Sequence, residues 1–364
     1  MNGHSRDKDL KILVLEPYFG GSHRNFLTGL KQHLPFEFVL MTFPAQKWKW
    51  RMRLAAPSYA ELLHKTGERF DRILCSTFVD VAAFRGLAPK WVMEVPLITY
   101  FHENQFAYPV QVEDERDFHF ALTNMTTALA SDRLAFNSSY NLESFLEGIE
   151  KLLKRSHDLK LENPCELIRS KSSIIPPAID FTVIDITEER RENASPVVLW
   201  NHRWEHDKNP DRFFEALLKL EKEGLDFRLV ILGESFKDRP PIFEKANKEL
   251  SDRIIFSGFA RDPNDYAKWL KRSTIVVSTS AHEFFGIAMM ESVRAGCTPL
   301  LPRRLSYPGL FPEEFLYDEE EFVDRFRDVI LRGKSLSVKR AKELTEPYSW
   351  QTLAPEFLKW ISKG

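Results

Sequence analysis

Nine short apolar runs, each closed by turn residues and most followed by a stretch of helical spacing, constrain the fold of this chain more than any other feature. The first half carries Ile12–Leu15, Phe38–Met41, Arg72–Cys75, Leu97–Phe101 and Arg133–Phe136. The second half carries Val197–Trp200, Leu229–Gly233, Ile254–Phe256 and Ile275–Ser278. A strand buried on both faces needs such an unbroken apolar run. Strands separated by helices pair in parallel, because a parallel neighbour is reached only through a crossover. The pattern predicts an α/β chain of two Rossmann-like domains. Between Ile149 and Asn193 the composition shifts, from basic residues through Ile175-Pro176-Pro177-Ala178 to the charged segment Thr187–Asn193. That shift predicts a linker near 178–195. The division expected is 1–180, 195–346 and a closing amphipathic helix within 347–364. Two halves of this kind leave a central cleft, and open α/β sheets bind ligands beyond the carboxyl ends of their strands.

Charge and cysteine content narrow the function classes. The 51 Lys+Arg against 53 Asp+Glu leave a net charge of −2, which excludes a uniformly basic nucleic-acid coat but not a local patch. Cys75, Cys165 and Cys297 form no CxxC pair and suggest no disulfide framework. No apolar run is long enough for a membrane span, and the polar start MNGHSRDKDLK is no secretory leader. A cytoplasmic protein without a membrane partner is expected.

The sharpest chemical signal is His282-Glu283-Phe284-Phe285-Gly286-Ile287-Ala288-Met289-Met290-Glu291, after a buried strand and at the start of an apolar helix. Backbone N–H groups of Phe285, Gly286 and Ile287 at a helix N-terminus suit a phosphate. Glu291, two turns inside by this reading, suits a ribose diol; a plain acidic first turn is the other account. Directly after the strand Val197–Trp200 come Arg203 and Lys208, two cations placed to neutralise a leaving diphosphate or, alternatively, to form surface ion pairs. His202 and His206 lie four apart with no evident third ligand, so no metal is expected. Gly20-Gly21 and Gly233 follow strands and permit close approach by a ligand. His102, at the end of Leu97–Phe101, is placed either to bond a sugar hydroxyl or to serve the backbone.

One further stretch stands out. Lys47-Trp48-Lys49-Trp50-Arg51-Met52-Arg53 alternates four cations with apolar residues, and Phe38–Ala60 contains no acid. Read as an extended strand, it puts cations on one face and aromatics on the other. Cations then meet phosphates and indoles stack on bases, or the tryptophans cover the core while Lys and Arg stay solvated.

The Glu283-to-Glu291 spacing resembles the Glu-x7-Glu motif of the family 4 retaining glycosyltransferases, which have the GT-B fold. The resemblance implies that Glu291 binds the nucleotide ribose and Glu283 contacts the donor sugar. Arg203 and Lys208 would stabilise the leaving phosphate without a metal ion. The segments EPYFGGSHRNFL, FPAQKWKWRMR, YFHENQFAYPV, ERDF, FNSSYNLESFL, HRWEHDKNP and HEFFGIAMMESV resemble the tRNA-queuosine α-mannosyltransferase family along nearly the whole chain. That resemblance implies GDP-mannose as donor and the cyclopentene diol of queuosine, at the tRNA wobble position, as acceptor. It places Lys47, Trp48, Lys49, Trp50, Arg51 and Arg53 on the tRNA side. The rival expectations are a family 4 enzyme acting on a lipid or small glycan, and a non-catalytic RNA-binding protein on a transferase fold.

Overall fold

The computed structural model describes residues 10–108, 118–156, 158, 160–188, 195–235 and 239–363. Residues 109–110 of YFHENQFAYPV, 115–117 of ERDF, the first nine residues and 189–194 of the expected linker lie outside the described residues. The chain forms two compact units, one of Met1–Ala178 with Trp350–Gly364 and the other of Ile179–Ser349.

In the first unit the strands are β1 (Lys11–Phe19), β2 (Glu37–Pro44), β3 (Arg72–Ser76), β4 (Leu97–Phe101), β5 (Arg133–Phe136) and β6 (Ser172–Ile174). They lie in the order β2-β1-β3-β4-β5-β6, and every pairing is parallel. The central run of β1 shows why it sits there. Ile12 and Val14 enter the core on one face with Phe26, Leu30 and Tyr100, while Leu13 and Leu15 enter the core on the other with Tyr59, Ile73 and Phe84. A period of two with both faces apolar is the signature of an interior parallel strand. The helix Trp350–Ser362 completes the first of these cores through Trp350, Phe357 and Ile361.

The second unit repeats the plan with β7 (Val197–Asn201), β8 (Arg228–Leu232), β9 (Ile254–Gly258), β10 (Ile275–Val277), β11 (Thr298–Pro302) and β12 (Leu316–Tyr317), in the order β12-β11-β10-β7-β8-β9. Val198 and Trp200 face one core, and Val197 and Leu199 the other. Relabelled from its own first strand, this is the dinucleotide-fold order, and the first unit's order is the flavodoxin-like one. Each has a switch point beside its first strand, between β1 and β3 in one unit and between β7 and β10 in the other.

Two expectations change. The predicted linker is partly a packed element: Thr182–Ile186 is a short helix, and Ile179, Phe181 and Ile184 are buried in the second unit. Its apolar residues find a core despite the charged surroundings, and Asp185 pairs with Arg294 at 2.6 Å. The Lys47–Arg53 stretch is not extended; Trp48–Thr66 is a 19-residue helix. Cys75, Cys165 and Cys297 form no disulfide. Among the described residues no helix is long and apolar enough to cross a membrane.

Candidate functional site

The second unit's switch point gathers the residues of the two strongest motifs. β7 ends at Asn201, and the loop through Arg203 returns as a short turn, His206–Lys208, before the helix Pro210–Lys222. Thr279 Oγ1 donates to the carbonyls of Lys208 (3.1 Å) and Asn209 (2.9 Å), and the Ala281 N–H donates to the Asp207 carbonyl (2.8 Å). These bonds seam the loop after β7 to the loop after β10. Gly233, at the end of β8, has φ 149° and a side-chain position only 1.8 Å from the His202 carbonyl oxygen, so no other residue fits beneath that loop.

The seam brings Lys208 and Glu283 together. The buried Lys208 ammonium donates to the His282 carbonyl (2.8 Å) and meets Asp207 (3.1 Å) and Glu283 (3.4 Å). Burial pulls the Lys208 pKa down, but the charges of Glu283 and Asp207 outweigh it and hold it above the ordinary lysine value. Burial pushes Glu283 up, and Lys208, the neighbouring histidines and the Phe285 N–H together hold it below the usual carboxylate range. The pair is therefore ionised. The Phe285 amide, expected to face a phosphate, serves the Glu283 carboxylate instead. His202 is driven down to about 3 by burial and by Lys208, and is neutral; its Nε2 has no hydrogen-bond partner. His206 is exposed while His202 is buried. Among the described residues no group of His, Cys, Asp or Glu is arranged to hold a metal ion. Arg203 lies half exposed and pairs with Glu205 at 3.0 Å.

Beyond Glu283 the helix Ile287–Arg294 begins at Gly286, whose φ of 98° strains any other residue and whose α-carbon faces the Tyr307 ring. The first-turn amides of a helix have no intrahelical acceptor, and here the first turn begins at Ile287. Glu291 is the fifth residue of this helix, one turn inside rather than two. Burial lifts its pKa to about 7 against the opposing hydrogen bond from Tyr266. Tyr266 Oη donates to Glu291 at 2.8 Å, and Asn201 Nδ2 donates to Tyr266 at 2.8 Å and to Ser292 Oγ at 3.0 Å. Tyr266 went unread in the sequence because nothing nearby marks it, and Asn201, although it adjoins His202 and Arg203, carries no charge to draw attention.

The first unit's switch point holds a cluster that sequence reasoning also missed. His23 Nδ1 lies 2.9 Å from Glu16 of β1, and its Nε2 lies 3.2 Å from Glu103, just past β4. Thr77 Oγ1, past β3, donates to Glu103 at 2.8 Å. Burial alone lowers a histidine's pKa, but the two carboxylates and their hydrogen bonds raise His23 to about 10. The His102 ring lies 4.2 Å from that of His23, tilted by 32°, and burial with that neighbouring charge keeps it neutral, its pKa well below the ordinary value. Gly20 and Gly21 cap and open the helix Gly21–His33 that carries His23. The signal available beforehand was Glu16 itself, an acid ending an apolar run, with a histidine seven residues on.

The basic helix separates its two tryptophans. Trp48 packs 5.2 Å from Phe120 and 6.1 Å from Tyr108, whereas Trp50 is 58% exposed. Arg51 reaches the Pro44 carbonyl and lies 5.4 Å over Phe43, and Arg53 lies 4.9 Å over Phe120. Lys47, Lys49 and Arg53 are exposed. No acid stands in the first turn, so like charges crowd the positive end of the helix.

Two Rossmann-like units of these strand orders, with a Glu-x7-Glu helix in the second, define a glycosyltransferase of the GT-B fold. Residues 11–179 match the family described as tRNA-queuosine alpha-mannosyltransferase N-terminal, and residues 184–338 match glycosyl transferases group 1. The tRNA-queuosine alpha-mannosyltransferase of Drosophila melanogaster is 34% identical over 97% of this chain and 96% of its own length. The chain belongs to the tRNA-queuosine alpha-mannosyltransferase family. A GDP-mannose-dependent alpha-(1-6)-phosphatidylinositol dimannoside mannosyltransferase of Mycobacterium tuberculosis is 29% identical over 42% of this chain and 40% of its own. Among solved structures, Anabaena Alr3699/HepE in complex with UDP and glucose has a TM-score of 0.67 at 13% identity, covering 98% of this chain and 100% of that one. Sucrose-phosphate synthase from Thermosynechococcus elongatus has a TM-score of 0.69 at 14% identity, covering 96% and 97%.

Proposed function

We propose that this chain transfers mannose from GDP-mannose to the cyclopentene diol of queuosine at the wobble position of tRNA-Asp, with retention at the anomeric carbon and without a metal ion. The observation that carries the reading is the ionised Lys208–Glu283 pair beside the amino end of the Ile287–Arg294 helix, in a chain 34% identical to a tRNA-queuosine alpha-mannosyltransferase. In this reading the bond from the mannose anomeric carbon to the diphosphate oxygen breaks. The acceptor hydroxyl oxygen bonds the same face of that carbon, and its proton passes to the departing phosphate. Arg203, Lys208 and the amides of Gly286 and Ile287 oppose the charge that gathers on that phosphate. Glu283 orients the sugar, and Glu291 accepts from the ribose hydroxyls. Lys208 already serves three protein acceptors, so its charge acts as part of a fixed field while the exposed Arg203 makes the closer approach.

The RNA contact falls to Lys47, Lys49, Trp50, Arg51 and Arg53, a reading supported by cations gathered at a helix end that disfavours them. Trp48 supports the helix from beneath. The protein works in the cytoplasm, where tRNA and sugar nucleotides meet. The test is incubation with GDP-mannose and queuosine-containing tRNA-Asp in the presence of EDTA, followed by nucleoside mass spectrometry. Addition of one hexose to queuosine is expected. No addition from GDP-mannose, or addition restored only by magnesium, contradicts the donor or the metal-free mechanism respectively.

A further inference from the structure

Asn201 and Tyr266 have no part in the mechanism just described, yet a chain of hydrogen bonds runs from one through the other to Glu291. We propose that Tyr266, oriented by Asn201, is a positioning residue for the donor nucleoside: it takes one oxygen of the Glu291 carboxylate and leaves the other to accept from a ribose hydroxyl, so that the site discriminates against a nucleotide lacking that hydroxyl. The proposal rests on the ribose reading of Glu291 given above and adds the residues that aim the carboxylate.

Three observations carry it. The first is the direction of each hydrogen bond. Asn201 closes β7 and is buried. Its side-chain amide faces the Ala288 carbonyl at 3.1 Å, which can only accept, so the NH2 group and not the amide oxygen stands on that side. The same nitrogen donates to Ser292 Oγ (3.0 Å), whose own hydrogen goes to the Ala288 carbonyl (2.7 Å), and to Tyr266 Oη (2.8 Å). Tyr266 therefore accepts from Asn201, and its single hydrogen goes to Glu291 Oε2 at 2.8 Å. Burial and the charge of Glu291 hold the phenol well above its ordinary pKa, so that hydrogen stays in place. The second is anchorage. Ala288, Glu291 and Ser292 belong to the one helix Ile287–Arg294, and Tyr266 is the fourth residue of the helix Pro263–Arg272. The helix that carries the carboxylate thus orients Asn201, and through it the hydroxyl that steadies the carboxylate. Preorganisation of this kind is what a specific polar contact requires. The third is what remains on Glu291. Among the described residues Tyr266 is the one group that hydrogen-bonds this carboxylate, and it uses Oε2. Oε1 keeps its lone pairs for a hydroxyl donor, and a bond to a charged acceptor is about twice as strong as a neutral one.

The experiment measures by calorimetry, from pH 6 to 8.5, the affinities of GDP, 2′-deoxy-GDP and 3′-deoxy-GDP for the full chain and for two variants, Tyr266→Phe and Asn201→Asp. At pH 8 the parent is expected to bind GDP about 10- to 100-fold more tightly than one of the deoxy forms, the range of one hydrogen bond to a charged group. Tyr266→Phe removes the donor to Glu291 and is expected to raise the pH midpoint of GDP affinity by about one unit. At pH 7 it should therefore weaken GDP and narrow the deoxy preference about 5-fold, with recovery toward pH 8.5. Asn201→Asp puts an acceptor where Tyr266 now meets a donor, draws the phenol hydrogen away from Glu291 and is expected to move the midpoint further in the same direction. The ratio of GDP to deoxy-GDP affinity cancels any effect of the added charge on the phosphates. A Tyr266 that serves only the fold would lower the melting temperature when changed to Phe and leave the ratio and the midpoint alone. Parental ratio and midpoint in the two folded variants overturn the assignment of Tyr266 and Asn201 alone. A parent that does not bind GDP, or binds it and both deoxy forms equally, overturns the ribose reading of Glu291, and this assignment with it.

Discussion

At the second unit's switch point the buried cation is Lys208, set between Asp207 and Glu283; at the first it is His23, set between Glu16 and Glu103. The two sheets thus solve the same problem, a carboxylate pair at the strand ends, with different bases. Lysine keeps its charge at any physiological pH, here held by Asp207 and Glu283 beside the amino end of the Ile287–Arg294 helix. Histidine has two ring nitrogens in fixed directions and spends both on carboxylates, so it orients acids rather than presenting charge. On the proposed function the second unit's cluster serves the phosphate, and the contrast between the two clusters can be broken experimentally.

The largest effect is expected at Lys208. Lys208→Met keeps the stem but leaves Asp207 and Glu283 without their cation, a loss of about 3–5 kcal/mol in stability for a broken buried pair. Turnover should fall on the order of 100- to 1,000-fold, as for a single transition-state donor. Melting temperature and kcat, measured together below the variant's own transition, check both. Parental turnover in a folded variant removes Lys208 from the phosphate chemistry.

His23→Gln should also cost several kcal/mol, but with a pH dependence that Lys208 lacks. The folded pKa of His23 is raised from 6.5 to about 10. Its stabilising contribution is therefore fully present below pH 6.5 and is lost as pH rises toward 10, by about 1.4 kcal/mol per unit where the folded ring is charged and the unfolded ring neutral. Denaturant titrations of parent and variant at pH 6, 8 and 9.5 should show a narrowing gap. The gap for Lys208→Met should stay level over the same range, since the Lys208 pKa is held above the ordinary lysine value. Equal slopes for the two variants would erase the distinction between the clusters.

Glu291 gives a smaller and more local effect. Its pKa of about 7 means that the carboxylate must lose a proton to accept a ribose diol, so GDP affinity should weaken as pH falls through 7. Tyr266 donates to the charged form, and Tyr266→Phe should move that midpoint upward. Glu291→Ala should cost about 1.5–3 kcal/mol for each ribose hydroxyl that then has no charged acceptor. Calorimetry with GDP from pH 6 to 8.5 measures all three, and a pH-independent parent affinity removes Glu291 from the ribose.

Much of this comparison was legible in one unit and little of it in the other. Ile12–Leu15 and Val197–Trp200 announce themselves because an interior parallel strand needs an unbroken apolar run. Ser172–Ile174 is an edge strand with two serines, Thr298–Pro302 is interrupted by prolines, and Leu316–Tyr317 is two residues long, so none shows a pattern. Glu283 and Glu291 share one local motif and could be read. His23 and Glu103 are 80 residues apart and meet only because the strand order puts β1, β3 and β4 side by side. The Lys47–Arg53 stretch misled for a definite reason. Alternation suggests a strand, but Trp48 and Met52 are four apart and share the buried face of a helix with Ala55, Ala56 and Tyr59. Trp50, two residues from each, is turned to solvent.

That helix supplies the smallest test, and its sign carries the information. Lys47 caps the helix with φ 47°, a conformation that asparagine tolerates better than lysine, and it adds positive charge to a positive helix end. Both terms are unfavourable to the fold. Lys47→Asn should therefore stabilise the protein by about 0.3–1 kcal/mol. If Lys47 sits there for a phosphate of the acceptor, the same change should weaken tRNA binding and lower the slope of log affinity against log salt by about 0.7–0.9. GDP affinity, which the proposed function gives to the other unit, should not move. Trp50→Ala should then cost about 1–3 kcal/mol of tRNA binding at constant melting temperature, whereas Trp48→Ala should lower the melting temperature, because its ring lies 5.2 Å from Phe120. A Lys47→Asn protein that is more stable and binds tRNA with the parental salt slope would make the cation a local imperfection and remove the phosphate contact from this end of the helix.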